Sequence, residues 1–407
     1  MTLTRDEAAA LDRRDELAEF RDRFVLPEGV IYLDGNSLGP LPIAAKALVA
    51  EVVEREWGQS LIRSWTDHGW IDLQFRIGEK IAVMIGAASG TTVVADSTSV
   101  NLYKLLAAAL QRRPDRRVIL TEAGNFPTDL YIAQGLAAHM RLGHEVRQAT
   151  DVLAELDDSV AVLMLTHVNY RSGAMHDMAA LTGAAHAAGA LVLWDLSHSA
   201  GAVPLRLDTD EVDLAVGCGY KYLNGGPGAP AFLYIAKHMQ DELHLPLTGW
   251  LGHAAPFAFE SEYRPGDGIA RAVVGTPPIL SLAVLEVGID IALEAPMAAV
   301  RTKSLALSEL FMALMADQSE FGLLSPRDPS RRGSQVAFTH PGGYAIIQAL
   351  IERGVIGDFR APDVLRFGLA PLYLRFADVW GAVAMLRDVM RSGVWNEGRF
   401  QQRRKVT

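Results

Sequence analysis

The sequence predicts an α/β protein, with a large domain built on a mainly parallel sheet and a smaller α+β domain at the C-terminal end. Short apolar runs rich in Val, Leu and Ile alternate with helical stretches up to about residue 280, which is typical of parallel strands covered on both faces. Helical and strand patterns alternate again beyond residue 295. With 407 residues, half of them hydrophobic, the chain is long enough for more than one buried core.

The chain begins with elements that predict an N-terminal arm. The pattern is helical up to about Phe20, and Val30–Leu33 predicts a short strand that runs into the glycine-containing turn Asp34–Pro40. We therefore expect an arm over residues 1–33 that packs with the small domain, a large domain over residues 34–294 and a small domain over residues 295–407.

The large domain is predicted to contain six apolar strands: Thr92–Ala95, Arg117–Leu120, Val160–Leu165, Leu191–Trp194, Leu214–Gly217 and Ala231–Ile235. Helices are expected between most of them, including Asn101–Leu110, Asp129–Ala138 and Met178–Ala188. In parallel sheets connected in this way, ligands bind at the carboxyl ends of the strands. Polar residues that follow these strands are therefore the first candidates for a functional site.

A helix over Ile279–Leu293, bounded by prolines on both sides, is expected to lead from the large domain into the small one. The small domain then shows an alternating α+β pattern. Its predicted elements are, in chain order, the helix Thr302–Met315, the strand Ser334–Thr339, the helix Tyr344–Arg353, the strand Val364–Leu369 and the helix Ala377–Met390.

The composition excludes several classes of function. A net charge of −10 and a pI near 5.6 argue against a nucleic-acid or membrane partner. The N-terminus is charged and no apolar run reaches about eighteen residues, so we expect neither a signal peptide nor a membrane span. A single cysteine, Cys218, suits a reducing compartment, and the cytoplasm is expected. His167, His176 and His253 follow no metal-ligand spacing, so no metal site is predicted.

An acid and an amine follow neighbouring strand candidates. Asp195 ends one apolar strand and Lys221 follows the next candidate, Val212–Gly219, so both groups could converge at one sheet edge. A lysine can form a Schiff base with an aldehyde cofactor, and a carboxylate can keep a pyridine nitrogen protonated, as pyridoxal phosphate requires. Spacing alone equally supports a helix-capping acid and a loop lysine.

Two further segments could hold parts of such a cofactor. The string DSTSVN, residues 96–101, places hydroxyl groups and free backbone N–H groups at a helix start, where phosphate binds well. An ordinary N-cap is the alternative. Phe126 precedes a helix that begins with proline, and its ring could stack on a planar cofactor or pack in the core.

Eight strings of the sequence carry a resemblance to a known family. They are YLDGNSLGP (32–40), NFPTDLYIA (125–133), THVNY (166–170), WDLSHSAGAVP (194–204), YKYLNGGPG (220–228), GWLGH (249–253), GTPPIL (275–280) and RFGLAPLY (366–373). In these strings the chain resembles the bacterial kynureninases, which are fold-type I pyridoxal-phosphate enzymes with an aminotransferase-like fold. The resemblance runs from about Pro27 to the C-terminus.

The resemblance implies a set of site residues. Lys221 would carry pyridoxal 5'-phosphate in the large domain and act as the base, and Asp195 would pair with the pyridinium nitrogen. Tyr220 would contribute to the phosphate site and is also a candidate proton donor. The remaining implied cofactor contacts are Thr98, Ser99, Phe126, Pro127, Thr128, Asp129, Ser172, His198 and, from the neighbouring subunit of a homodimer, Trp250 and Thr276. The implied substrate contacts are Arg366 for the α-carboxylate, Asn36, Ser37 and Trp65 on the closing side, and Gly275 and Thr276 near the aryl ring.

The activity implied by the resemblance is hydrolysis of L-kynurenine to anthranilate and L-alanine, a reaction of tryptophan catabolism and NAD biosynthesis. The set Trp65, Gly275 and Thr276 resembles the bacterial enzymes, so 3-hydroxykynurenine is expected to be the poorer substrate. A cysteine desulfurase or a class V aminotransferase would share the fold and cofactor. The desulfurase needs a nucleophilic cysteine on a mobile loop, whereas Cys218 lies in an apolar strand. A non-enzymatic cofactor carrier would not need the carboxylate fork expected at Arg366.

Overall fold

The computed structural model describes residues 4–403, and its largest sheet has seven strands. Phe232–Ile235 is antiparallel to both of its neighbours, and the other strands all run in one direction. The predicted mainly parallel sheet is therefore confirmed. In spatial order the strands are Thr92–Val94, Phe232–Ile235, Leu214–Gly217, Leu191–Asp195, Val160–Thr166, Val118–Glu122 and Glu145–Ala149.

Helices cover this sheet and begin where the sequence supplies caps. Thr98–Arg112 is capped by Ser97, whose hydroxyl accepts from the Val100 backbone N–H, and Pro127–Met140 begins with its proline. The apolar core of this part of the chain extends from Leu73 to Ala292. The other helices of this part are Ile43–Glu51, Val52–Ser60 (a π-helix), Ser64–Asp67, Leu73–Ile85, Met178–Ala187 and Ile279–Glu294.

A second, four-stranded antiparallel sheet lies in the C-terminal part of the chain. Its strands in spatial order are Gly322–Leu323, Gln335–Thr339, Val364–Gly368 and Asp358–Arg360. The helices that pack with it are Met297–Met315, Gly343–Glu352, Phe376–Ser392 and the short Gly398–Gln401. This sheet and its helices share one core with the N-terminal residues Ala8, Leu17, Phe24 and Leu33.

The N-terminal segment is attached to this second core. After the helix Arg5–Asp12, the strand Ile31–Tyr32 pairs in parallel with Val355–Ile356. The strand Phe24–Val25 pairs with Leu41–Pro42 and leads the chain toward the large sheet. Within residues 4–403, no helix is long and apolar enough to cross a membrane.

Candidate active site

A cleft opens at the carboxyl ends of the central parallel strands. It encloses about 460 Å³, part of which is open to solvent, and all but one of the residues that line it have polar side chains. The residues that line it are Thr98, Ser99, Phe126, Thr128, Asp129, Thr166, Tyr170, Asp195, Ser197, His198, Tyr220 and Lys221. The predicted acid and the predicted lysine thus face the same enclosed space.

Asp195 and Lys221 reach the cleft from neighbouring strands. Asp195 is the last residue of Leu191–Asp195, and its Oδ1 accepts from the Ser197 backbone N–H at 2.7 Å. Burial raises the pKa of Asp195, and the nearby Lys221 charge opposes that rise. Lys221 Nζ lies 3.0 Å from His198 Nε2. Because burial and the Lys221 charge hold the pKa of His198 well below its usual value, the imidazole is neutral and accepts from the lysine.

A second buried carboxyl group, Asp129, lies beside Asp195. Burial and the Asp195 charge hold the pKa of Asp129 well above its usual value. Its Oδ2 lies 3.2 Å from Thr166 Oγ1, which lies 2.5 Å from Asn125 Oδ1. A hydroxyl has one proton to donate, so a protonated Asp129 donating to Thr166, which donates to Asn125, satisfies all three groups. Among the described residues, Asp129 Oδ1 has no partner, which leaves it available to a ligand.

The two ends of the cleft suit a planar ring and a phosphate group. The Phe126 ring packs edge-on against Tyr170 at 5.1 Å, and its centroid lies 5.9 Å from Lys221 Nζ. Thr98 and Ser99 occupy the first turn of the helix Thr98–Arg112, where backbone N–H groups are free to bind an anion. The donors in the cleft therefore fit pyridoxal phosphate, with an unpartnered buried carboxyl oxygen beside the ring position.

Arg366 lies at the edge of the cleft on the strand Val364–Gly368, and its guanidinium is almost fully engaged. Nη2 donates to Ser37 Oγ at 2.7 Å and to Asp358 Oδ2 at 2.5 Å, and Nη1 donates to the Tyr170 carbonyl at 2.6 Å. When the Asn36 amide is oriented to satisfy its neighbours, its oxygen accepts from Arg366 Nε at 3.1 Å. The predicted substrate contacts Asn36, Ser37 and Arg366 thus form one cluster.

Asp34 adds a further carboxyl group to this cluster. Its Oδ1 lies 4.0 Å from Arg366 Nη2. Burial, followed by the Asp358 charge, raises the pKa of Asp34 to about 7, although Arg366 opposes the rise. The carboxyl group of Asp34, which faces Arg366, therefore loses its proton near neutral pH.

Several predicted residues do not line the cleft in the single chain. Ser172 lies in a neighbouring turn, where its Oγ lies 3.2 Å from Asn169 Oδ1. Pro127 begins its helix. Trp65 and Trp250 pack edge-on at 6.5 Å in an aromatic cluster, and Gly275 and Thr276 are exposed.

Gln335 and Asp358 contribute to the site and have no sequence prediction. Gln335 Nε2 donates to the Tyr170 carbonyl at 3.1 Å, so it joins the small sheet to the wall of the cleft. Asp358 neutralises the buried Arg366. The polar Gln335 at the start of the apolar strand Gln335–Thr339 is the sequence signal that could have indicated a role for this residue. Nothing in the local sequence around Asp358 indicates that it pairs with Arg366.

Comparison with curated proteins identifies the family. Kynureninase from Pseudomonas fluorescens is 51% identical over 414 aligned residues that cover 99% of this chain and all of that protein. The chain belongs to the kynureninase family. Kynureninase from Burkholderia pseudomallei strain 1106a is 52% identical with the same coverage, and the family model for the kynureninase C-terminal domain matches residues 300–386. This kynureninase-family chain is thus a pyridoxal-phosphate-dependent hydrolase, as the resemblance implies.

Solved structures with a similar fold confirm the fold class. Apo cysteine desulfurase from Thermococcus onnurineus NA1 has a TM-score of 0.77 at 19% identity and covers 92% of this chain and 98% of its own. A C-DES mutant with glycine covalently linked to its PLP cofactor has a TM-score of 0.78 at 21% identity, covering 90% and 99%. At these identities the likeness concerns the fold. Cys218 is buried in this chain, so the thiol required for desulfurase chemistry is inaccessible.

Proposed function

We propose that this cleft cleaves the Cβ–Cγ bond of L-kynurenine with water, giving anthranilate and L-alanine. One observation carries the proposal: Lys221, Asp195 and the phosphate-binding helix start surround a single cleft, and the buried Arg366 lies at its edge. This cofactor requires an amine for its aldehyde and a carboxylate for its ring nitrogen. An amino-acid substrate requires a guanidinium group that binds its carboxylate through two N–H groups.

The residues of the cleft would bind three parts of the cofactor, namely its aldehyde carbon, its ring nitrogen and its phosphate group. Lys221 would bind the aldehyde carbon, Asp195 would bind the ring nitrogen, and Thr98 and Ser99 would bind the phosphate. Phe126 would stack on the ring. When bound, the cofactor withdraws electrons from the substrate carbons and so stabilises the negative charge that develops there.

Two groups of the chain would move protons. Lys221, with its amine free, would take the proton from the substrate Cα. The neutral His198, 3.0 Å away, can accept a hydrogen bond and orient that amine. Burial, with a smaller effect of Cys218 and Asp195, raises the pKa of Tyr220, so its phenol stays protonated. Tyr220 thus carries a proton at neutral pH, and we assign to it the donation that completes alanine.

The substrate side would be built by Arg366 and its neighbours. Arg366 would bind the α-carboxylate, supported by Asn36 and Ser37, with which it is already in contact. Trp65, Gly275 and Thr276 would surround the aryl ring. An indole wall and a glycine offer few hydrogen-bond partners, so 3-hydroxykynurenine would be the poorer substrate.

A homodimer with shared active sites would complete the cleft. In the single chain, Thr276 is exposed and the half-buried Trp250 lies outside the cleft, so both are placed to serve another subunit. Large apolar side chains near Trp250 are also uncovered: Phe257 is 65% exposed and Phe259 is 77% exposed. Burial of such a surface against a second copy is the ordinary route to a stable dimer.

The division of the chain and its location belong to the same proposal. An arm over residues 1–33, a large cofactor-binding domain over 34–294 and a small domain over 295–407 agree with the two separate apolar cores. The single buried cysteine favours a reducing compartment, and we place the enzyme in the cytoplasm.

Addition of L-kynurenine to the protein reconstituted with pyridoxal phosphate tests the proposed reaction. We expect anthranilate fluorescence to increase and one L-alanine to form for each anthranilate. Lys221→Ala protein is the matched blank, and L-cysteine with a sulfide assay tests the desulfurase alternative. The absence of anthranilate with cofactor bound, or faster release of sulfide than of anthranilate, would refute the proposal.

A further inference from the structure

Lys104 is a completely buried lysine that the chemistry described above does not use. It lies on the helix Thr98–Arg112, about one and a half turns from the predicted phosphate contacts Thr98 and Ser99. Its side chain is 0% exposed, and its Nζ donates at 2.7 Å to Asp96 Oδ2 and at 2.7 Å to the Ala272 carbonyl. Burial of an ammonium group costs free energy, and these two contacts offset that cost.

The contact with Asp96 fixes the entry to the phosphate-binding turn. Asp96 has a φ of 52°, in the left-handed region that, apart from glycine, mainly asparagine and aspartate adopt. It lies between the strand Thr92–Val94 and the helix that starts with Thr98 and Ser99. The ion pair between Asp96 and Lys104, a residue of that helix, stabilises this turn. It thereby sets the position of the Thr98 and Ser99 hydroxyl groups.

The contact with Ala272 fixes a different segment of the chain. Ala272 is buried and ends the short 3-10 helix Gly268–Ala272. Two residues later, the Val274 carbonyl accepts from the Leu251 backbone N–H at 3.3 Å, and the close packing of Gly249 on Val274 leaves no room for a Cβ atom. The segments that carry Trp250 and Thr276 are therefore fastened to each other and, through Ala272, to Lys104.

We propose that Lys104 is a positioning residue that joins the two halves of the phosphate site. Through Asp96 it orders the turn that its own chain supplies to its own cofactor. Through Ala272 it orders the segments with Trp250 and Thr276 that its chain supplies to the partner's cofactor. This inference rests on the proposed homodimer with shared sites, and it makes each Lys104 contribute to both cofactor sites.

Affinity for pyridoxal phosphate is the direct test, measured by titrating apoenzyme with the cofactor and trapping the bound fraction with borohydride. Lys104→Met removes both contacts and is expected to weaken the affinity at least tenfold. Asp96→Asn keeps a residue that tolerates the left-handed turn but removes the counter-charge, so a smaller loss is expected. This second variant keeps the test decisive if Lys104→Met does not fold.

Lys303 provides a matched control. It is also a buried lysine, with Nζ donating at 2.6 Å to the Pro371 carbonyl and paired at 2.6 Å with Asp15, but these contacts join the N-terminal arm to the second core. Lys303→Met should lower the Tm and leave the cofactor affinity unchanged. Equal losses of affinity in the two lysine variants would show a structural role only and overturn the proposal.

Hybrid dimers separate the two roles of Lys104. In each hybrid one chain carries Lys221→Ala, so that borohydride traps cofactor only at the site of the other chain. When Lys104→Met is added to the Lys221→Ala chain, the trapped site receives altered segments from its partner only. When Lys104→Met is placed on the Lys221-bearing chain, that site's own turn is altered instead. The reference hybrid carries Lys221→Ala alone.

Weaker cofactor binding in both hybrids is the expected result. Weaker cofactor binding only in the hybrid whose Lys221-bearing chain carries Lys104→Met would overturn the proposal that Lys104 serves both sites. The dimer proposal would remain intact. A fully active monomer in light scattering would refute the shared site, and the inference with it. The two failures are thus distinguished by the oligomeric state.

Discussion

Arg366 and Asp358 form a buried ion pair, with 2.5 Å between Arg366 Nη2 and Asp358 Oδ2 and less than 4% exposure of either side chain. The other donors of Arg366 are directed at Ser37, Asn36 and the Tyr170 carbonyl, which leaves one of its five N–H groups without a partner among residues 4–403. A substrate carboxylate that binds two N–H groups must therefore displace one present partner. On Nη2, the Ser37 hydroxyl is neutral and is more easily replaced than the charged Asp358.

Arg366→Lys should raise the KM for L-kynurenine by about 30- to 100-fold, because a lysine cannot supply the planar fork and the lost charge-assisted hydrogen bond is worth about 2–3 kcal/mol. Steady-state kinetics with anthranilate fluorescence measures it, and the visible absorbance of the bound cofactor should not change. Ser37→Ala is the control and should raise KM by less than about tenfold. An unchanged KM in Arg366→Lys would show that the carboxylate binds elsewhere.

The carboxyl group of Asp34 predicts a pH-dependent stability. Its pKa of about 7 in the folded chain lies above its usual value of 3.8, so the folded state binds the proton more tightly than the unfolded state. This contribution to stability is complete below about pH 4 and is lost as pH rises to about 7. Asp34→Asn keeps the neutral form at every pH. Its stability relative to wild type should therefore rise between pH 4 and 7, by on the order of 4 kcal/mol, and then stay constant.

Denaturant unfolding of both proteins at pH 4.5, 6 and 7.5 measures this difference. Asp157→Asn is the control, because Asp157 is exposed and hydrogen bonds from Ser159 and Arg147 lower its pKa to about 2, below the range tested. It should produce no slope between pH 4.5 and 7.5. A difference between Asp34→Asn and wild type that is independent of pH would contradict the assignment.

The core of the large sheet could be predicted because its strands are continuous apolar runs. All six predicted strands are present, within one or two residues of their predicted bounds. The seventh strand, Glu145–Ala149, was missed because only Ala149 is buried in this edge position, which leaves no apolar pattern. The antiparallel direction of Phe232–Ile235 is also set by its connections in three dimensions, since its apolar run resembles those of its parallel neighbours.

The site could be predicted in part for a related reason. Asp195 and Lys221 follow neighbouring strands, and strand ends of a parallel sheet meet at one edge, so their approach follows from the topology. Asp358 lies on another sheet, and its contact with Arg366 depends on the antiparallel register between two strands of that sheet. Local sequence patterns carry no information about such a register.

Lys221 is predicted to be the residue that binds the cofactor covalently. Borohydride reduction of the holoenzyme, followed by digestion and mass spectrometry, should place the added mass on the peptide that contains Lys221. Lys221→Ala should lose about 10³-fold or more of the activity, because both the attachment point and the base are removed. Lys237→Ala, at an exposed lysine, should stay fully active. A label on any other lysine would refute the assignment.

The proposed sharing of active sites between two subunits predicts complementation between two inactive chains. Lys221→Ala and Trp250→Ala homodimers should each be inactive or nearly so. If Trp250 is supplied by the opposite chain, as proposed, one site of a hybrid dimer carries both substitutions and the other carries neither. Random mixing in equal amounts gives half hybrids with one intact site each, so about a quarter of wild-type activity should return.

Activity after subunit exchange, measured in the mixture and in each parent, checks this result. A mixture of Lys221→Ala with Lys221→Ala carrying a different tag is the control for exchange itself and should gain nothing. If exchange is demonstrated by the two tags and activity stays at the sum of the parents, each site is built from one chain.

The proposed site for the aryl end of the substrate predicts a preference for L-kynurenine that three substitutions should reduce. Trp65 and Gly275 offer apolar surface, so a ring hydroxyl buried there would lose water without a new partner, at about 1–3 kcal/mol. L-Kynurenine should therefore have the higher kcat/KM, by up to roughly a hundredfold over 3-hydroxykynurenine. A Trp65→His, Gly275→Ser, Thr276→Asn triple variant supplies hydrogen-bond partners and should lower that ratio.

Competition assays with both substrates measure the ratio in wild type and in the triple variant. Gly275 can accept the larger residue, because a Cβ atom built on it meets nothing within 4 Å in the single chain. Trp65→Phe is the control: it keeps the apolar wall without a polar partner, so the wild-type preference should persist although overall activity falls. A wild type that already prefers 3-hydroxykynurenine, or a triple variant with an unchanged ratio, would show that other residues recognise the ring.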